Sequence, residues 1–334
     1  MPQNHVNNFF NIYKWSIVPF IGFISAISGL YTTYRLADQN CHVQTVKYAY
    51  ISDTGNYYPE RMLFGMVITI LAVSYVYVII LNFNFIKSLL SLQDSTRSLD
   101  STYSISTKRN KLTLITGLIS SLGLFIIANF QAQSAPFIHY SGAVSGFLLG
   151  AVYNLLTVIT LSKVHKFWPE IVPAWLVRIR WGIVVIGMIC FICFFGMHFI
   201  LPFLEVEKYD VAAVDANGRI GSLPMHDVHN NSTPIKYYST DQLSNPNCHD
   251  STNPALTKII DQNGLQQTVV LMYSERYNFM VSLSAIFEWI SGMCNIIFNG
   301  LFVFEFSKIE FLDLKVGVRV SGSGRITRGQ IYEE

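Results

Sequence analysis

The sequence predicts an all-α, polytopic membrane protein with six transmembrane helices and both termini in the cytosol. Three observations carry this. Only 13% of the 334 residues are charged while 51% are hydrophobic, whereas soluble domains carry roughly 25% charged residues. A bilayer-crossing helix needs about 20 mostly apolar residues, and six windows qualify, at 15–34, 62–86, 112–132, 137–161, 181–204 and 278–304. Lys and Arg also segregate to alternate loops. A net charge of +2 without any basic block gives no reason to expect nucleic acid as a partner.

The first window is expected to be a retained anchor. Its apolar run is longer than that of a signal peptide, and no small-residue cleavage site follows "LYTTYRLADQN". The loop after it reads "YAYISDTGNYYPERMLFG". It places Asp53, Glu60 and Arg61 at the start of the second window, with Gly55 and Pro59 shaping a turn. A Ser/Thr-rich patch at 91–107 leads to the third window.

In the fourth window, Gly142, Gly146 and Gly150 recur every four residues and form a flat stripe along one helix face. Such a stripe lets another helix approach closely. The fifth window contains Cys190 and Cys193 at C-x-x-C spacing within "GMICFICFFGM". An uninterrupted apolar helix disfavours thiolate formation, and no partner pair sits at ligand spacing, so these thiols and Cys294 read as packing and no metal or cofactor is expected.

Orientation follows from the cations beside the helix ends, which resist translocation. One side collects Lys14; Lys87, Arg97, Lys108, Arg109 and Lys111; Lys163, Lys166, Arg178 and Arg180; and the tail residues Lys308, Lys315, Arg319, Arg325 and Arg328. The short loops opposite hold Arg35, Lys47 and Arg61. The chain therefore divides into a cytosolic N-terminus at 1–14, a membrane domain at 15–304 with a long lumenal or extracellular loop at 205–277, and a cytosolic tail at 305–334. "HNNST" supplies overlapping glycosylation acceptors at Asn230 and Asn231 in that loop. Cys41 and Cys248 fall on the same oxidising side, and a disulfide between them is the preferred pairing.

Glu288 is the one charge inside the sixth window, about 16 Å down from its lumenal end by helical rise. A carboxylate there is expensive, faces the bundle interior and often marks function. Asn129 ends the third window and His139 opens the fourth, so a lumen-facing polar pocket is expected from Glu288, Asn129 and His139, capped by the turn at 52–60. The other reading is a buried hydrogen-bond network that only sets helix register, and residue types alone fit both. Hydrolysis of a lipid by Glu288, His139 and Asp53 is the minor enzymatic reading: no G-x-S-x-G elbow accompanies them.

Three segments together, "YISDTGNYYPERMLFG", "IIANFQAQSAPFIHYSGAVSGFLLGAVY" and "SAIFEW", resemble the damage-regulated autophagy modulator (DRAM) family of the Frag/DRAM/Sfk superfamily of six-helix membrane proteins. The resemblance implies a non-enzymatic membrane regulator of autophagy in lysosomal or related endomembranes. Other superfamily branches imply two alternatives: a plasma-membrane adaptor supporting phosphatidylinositol 4-kinase, or a factor remodelling the lipids of GPI-anchored proteins. The matching Ser52, Asp53, Gly55, Glu60, Asn129, His139, Glu288 and Trp289 carry over as motif positions, with no catalytic role attached. Expected partners are membrane lipids and, through the basic tail, autophagy or phosphoinositide-kinase proteins. The fifth loop is longer than these families usually have.

Overall fold

The structure, a computed structural model, describes residues 15–40, 42–43, 48–95, 106–132, 134–201 and 275–307. It also describes strands at 209–214, 220–224, 236–238, 256–260, 266–273, 309–312, 315–319 and 325–326. Cys41, Cys248, Asn230 and Asn231 lie outside the described residues.

Six long helices follow in order: α1 (Ile17–Gln39), α2 (Glu60–Ser95), α3 (Thr107–Asn129), α4 (Pro136–Phe167), α5 (Ala174–Ile200) and α6 (Glu275–Gly300). A short α7 (Phe302–Phe306) continues the last of them, with Leu301 between. Among the described residues six spans are long and apolar enough to cross a membrane, the sixth running Phe279–Phe306 through α7, so the chain is an integral membrane protein. Local chemistry sets several of the ends. Ser106 caps α3 by accepting a bond from the Arg109 N–H, and Pro136 opens α4, where its missing N–H leaves no bond unmade. Apolar side chains such as Phe20, Ile24, Ile186 and Ile189 stay exposed on α1 and α5, as lipid-facing positions require.

The long segment between α5 and α6 is not featureless, which hydropathy alone does not anticipate. Its described residues form five antiparallel strands, β1 (Tyr209–Val214), β2 (Ile220–Pro224), β3 (Lys236–Tyr238), β4 (Leu256–Ile260) and β5 (Gln266–Tyr273), in the order β3-β2-β1-β5-β4. β1 and β5 pair centrally, with Val211 opposite Leu271. β-branched runs such as "TVVLMY" favour this over helix. The tail adds a three-stranded sheet of β6 (Ile309–Leu312), β7 (Lys315–Arg319) and β8 (Arg325–Ile326). The all-α class thus describes the spans, and the segments outside them add strands.

The chain forms two compact units. The first comprises 1–32, 61–191 and 290–334. Its core joins Val78, Phe85 and Leu89 of α2, Val158 and Leu161 of α4, Val184 of α5, and Phe298, Phe302 and Phe306 at the end of the sixth span. Close helix approach is built on small residues. A Cβ on Gly123 would lie 2.4 Å from the Gly146 nitrogen, one on Gly142 would lie 2.6 Å from Ile126 Cγ2, and one on Gly150 would lie 3.0 Å from Ser120 Oγ. Ser120 Oγ also donates to the Gly146 carbonyl at 2.8 Å. The glycine stripe of α4 therefore lies against α3, backbone on backbone.

The second unit comprises 33–60 and 192–289. It contains the ends of α1 and α5, the loop up to Glu60, the five-stranded sheet and the first part of α6.

Candidate functional site

The second unit is organised around three bonds from α6 to the backbone of the first loop. Ser282 Oγ accepts the Tyr48 N–H at 3.3 Å. Glu288 Oε2 accepts the Ile51 N–H at 2.8 Å. The Trp289 indole N–H donates to the Ala49 carbonyl at 3.0 Å. A segment outside any helix or sheet has no ladder to satisfy its buried amides, so side chains must do it. Ala49 and Ile51 are buried, Glu288 is 6% exposed, and Tyr34 packs edge-on against Trp289 with centroids 6.0 Å apart.

Beyond Ile51 the chain closes into a single 3-10 turn, Ser52–Gly55. Asp53 N–H donates to the Tyr50 carbonyl at 3.1 Å, Thr54 Oγ1 donates to the Ile51 carbonyl at 2.7 Å, and the Asn56 amide donates to Asp53 Oδ1 at 3.3 Å. "SDTGN" is a chain of short polar side chains closing on their own backbone, which is why it turns. Tyr50 stacks edge-on with Phe194 and His198 of α5, at 6.1 and 5.8 Å.

At the far end of the loop, Glu60 is 1% exposed and is held by two partners. His42 Nδ1 donates to its Oε2 at 3.1 Å, and the Asn40 amide donates to its Oε1. His42 also lies against Tyr57, with centroids 4.7 Å apart. Glu60 is the first residue of α2, where a carboxylate also suits the positive end of the helix dipole.

Asn129 and His139 belong to the first unit and make their bonds there. Asn129, exposed, donates to the Phe125 carbonyl one turn back at 2.8 Å. His139, buried, donates from Nδ1 to the Phe130 carbonyl at 2.6 Å and so ties the start of α4 to the end of α3. Glu288 makes its bond to Ile51, at the turn that carries Asp53.

One group at the turn responds to pH. Burial pushes the Asp53 carboxyl up from 3.8 to about 6, a rise that bonds from the Tyr50 backbone and the Asn56 amide only partly offset. A raised carboxyl makes the folded form hold its proton more tightly than the unfolded chain. The contribution of Asp53 to stability is therefore full below pH 3.8 and is lost as pH rises through about 6. Asp53→Asn is expected to flatten that slope and to gain about 1 kcal/mol at neutral pH, the full shift being discounted because Asp53 is partly exposed. Denaturation in mild detergent over this pH range, followed by tryptophan fluorescence, measures it; an unchanged slope in the variant refutes it.

Hydropathy windows miss a second polar centre, in the first unit. Arg180 and Glu305 are both fully buried and form a bidentate pair, with Nη2 to Oε2 at 2.9 Å and Nη1 to Oε1 as the second bond. The guanidinium also lies over the rings of Phe302 and Phe298, 4.5 and 5.3 Å from their centroids. Charge counting treats Arg180 as a flanking surface cation and Glu305 as the start of the tail. Both instead sit inside helical spans that run past the apolar windows, Ala174–Ile200 and Phe279–Phe306. Opposite charges just outside two apolar windows at the same end of the bundle were the available signal.

Six apolar helices, a loop held to the last of them by Glu288 and Trp289, and a buried ion pair define a polytopic helical membrane protein whose motif carboxylates bond backbone and side-chain groups of their own chain. The chain belongs to the family described as Frag1/DRAM/Sfk1/Cwh43P N-terminal domain, whose model matches residues 14–309. Among curated proteins it is similar to the modulator of macroautophagy TMEM150B of Danio rerio, 27% identical over 188 residues that cover 56% of this chain and 74% of that one. The Mus musculus protein of the same name is 28% identical over 184 residues, 55% of this chain and 71% of that one. DNA damage-regulated autophagy modulator protein 2 of Rattus norvegicus is 33% identical over 126 residues, 36% of this chain and 43% of that one. No solved structure matches.

Proposed function

We propose that this protein is a multi-pass membrane modulator of autophagy that acts without catalysis, in lysosomal or related endomembranes. Membership of the family and relatives named as modulators of macroautophagy support the reading. One geometric observation carries the non-catalytic part: Glu288, the intramembrane carboxylate of the "SAIFEW" motif, accepts a backbone N–H and thereby presents the Ser52–Gly55 turn. The basic tail residues, placed on the cytosolic side by the charge rule, are proposed to lie against anionic lipid or an autophagy protein. The plasma-membrane kinase adaptor and the GPI-lipid remodeller are not favoured by these relatives.

The test is rescue of autophagic flux in cells lacking the protein, with a fluorescent fusion to show where it resides. Glu288→Gln keeps an oxygen that can accept the Ile51 N–H, so it is expected to reach the same membrane as wild type and restore flux. Glu288→Leu strands that amide, which costs about 1–3 kcal/mol, and is expected to lower steady-state protein and rescue poorly. Correct localisation of Glu288→Gln with lost flux would instead assign the carboxylate itself a chemical role. Normal flux after deletion of the gene would remove the autophagy reading altogether.

A further inference from the structure

The start of α3, in the first unit, carries an arginine whose charge meets no carboxylate. Arg109, half-buried, donates from Nε to Thr160 Oγ1 of α4 at 3.1 Å, and that hydroxyl in turn donates to the Leu156 carbonyl at 2.8 Å. Beside it, the buried Asn110 amide donates to the Phe83 carbonyl of α2 at 3.1 Å. The near edge of the guanidinium is thus fixed between α3 and α4. Its far end is not used: among the described residues Nε is the only guanidinium nitrogen that is bonded, Nη2 is buried without an acceptor, and no ion pair includes Arg109. A shielded, charged donor is costly to leave unmatched.

The surroundings are basic. Lys108 and Lys111 flank Arg109 and are exposed. α3 and α4 run antiparallel, with Ser120 against Gly146, Gly117 against Tyr153 and Arg109 against Thr160, so Lys163, one turn beyond Thr160, comes level with the start of α3. Among the described side chains Glu170, in the turn after α4, is the one exposed acid at this end. Lys108 and Lys111 also head the face of α3 that continues as Leu112, Ile115, Ile119 and Leu122, all exposed. One helix face therefore passes from apolar to cationic as it leaves the span.

We propose that this face is a docking site for an anionic phospholipid of the leaflet that the charge rule places on the cytosolic side. The acyl chains lie along Leu112, Ile115, Ile119 and Leu122. Nη1 and Nη2 of Arg109 form the planar fork that suits two phosphate oxygens, and Lys108 and Lys111 neutralise the remaining headgroup charge as point cations. An acidic peptide would match the cations but would leave the apolar part of the same face uncovered, whereas one lipid molecule supplies both parts. The site is separate from the basic tail, and it holds whether or not the protein modulates autophagy.

The experiment uses the full-length protein in a neutral detergent, mixed with equal amounts of phosphatidic acid and phosphatidylcholine of the same acyl chains, with retained lipid counted by native mass spectrometry. Phosphatidic acid is expected to be retained in preference to phosphatidylcholine. Arg109→Gln, which keeps an N–H but no charge, is expected to lower that retention by about fivefold or more, the weight of one cation at a membrane surface. Lys108→Gln/Lys111→Gln changes two exposed side chains and is expected to lower it by a comparable factor. Arg178→Gln is the control, since Arg178 is exposed at the same end but on α5, where it bonds the Ala174 carbonyl; its retention is expected to match wild type. Equal retention of the two lipids by the wild type overturns the proposal. So does a loss in Arg178→Gln as large as in Arg109→Gln, which would show a diffuse surface field only. Retention abolished by an excess of inorganic phosphate would identify a soluble anion as the occupant and also overturn it. The wild-type comparison and the lysine pair decide the matter even if Arg109→Gln fails to fold.

Discussion

Glu305→Leu is expected to destabilise the protein by about 3–5 kcal/mol, because it leaves Arg180 charged, fully buried and without its carboxylate. The rings of Phe298 and Phe302 would remain against the guanidinium, but they supply only a fraction of what a bidentate carboxylate does. The same physics makes a second outcome diagnostic. In Arg180→Met/Glu305→Leu no charge is left stranded, and an apolar pair of similar volume in this position is expected to recover most of the loss. Urea titration in mild detergent of the wild type, both single variants and the double variant closes the cycle. A small loss in Glu305→Leu, or a double variant as unstable as the single ones, would show that the pair does not hold the end of the sixth span.

Gly123→Val is expected to be the most damaging substitution on the helix surfaces, at about 3 kcal/mol or more. Added atoms there meet backbone, which cannot rotate aside. A Cβ on Gly123 would lie 2.4 Å from the Gly146 nitrogen and 2.6 Å from the Gly142 carbonyl oxygen, so α3 and α4 would have to separate. Separation would also break the Ser120 bond to the Gly146 carbonyl. Gly182→Ala supplies the control. Nothing lies within 4 Å of a Cβ there, and replacing a mid-helix glycine by alanine should raise stability by up to about 1 kcal/mol. Thermal inactivation in detergent, read by size-exclusion chromatography, ranks the two. If Gly123→Val behaves like Gly182→Ala, the close contact of α3 with α4 is not what the glycines serve.

The sequence read alone determined the membrane class, the number of spans and the family, because these depend on one-dimensional quantities. A window such as 62–86 is apolar whatever it packs against, and hydrocarbon admits such a stretch only as a helix. Motif spelling works the same way: "SDTGN" turns on its own side chains, and "SAIFEW" places a carboxylate in a span wherever that span lies. Hydropathy also set limits that the helices exceed, since α5 starts at Ala174 and the sixth span runs to Phe306. Those extra turns carry Arg180 and Glu305.

What each polar group touches was decided by tertiary structure alone. That Glu288 meets the Ile51 amide, that His139 meets the Phe130 carbonyl, and that Arg180 meets Glu305 are facts about residues 237, 9 and 125 positions apart. Burial makes such partners obligatory without naming them, because a buried polar group needs some complement and hydropathy records only that it is polar. The strands between α5 and α6 lay beyond a hydropathy reading for a related reason: their pairing is set by register between distant segments, not by the composition of any one of them.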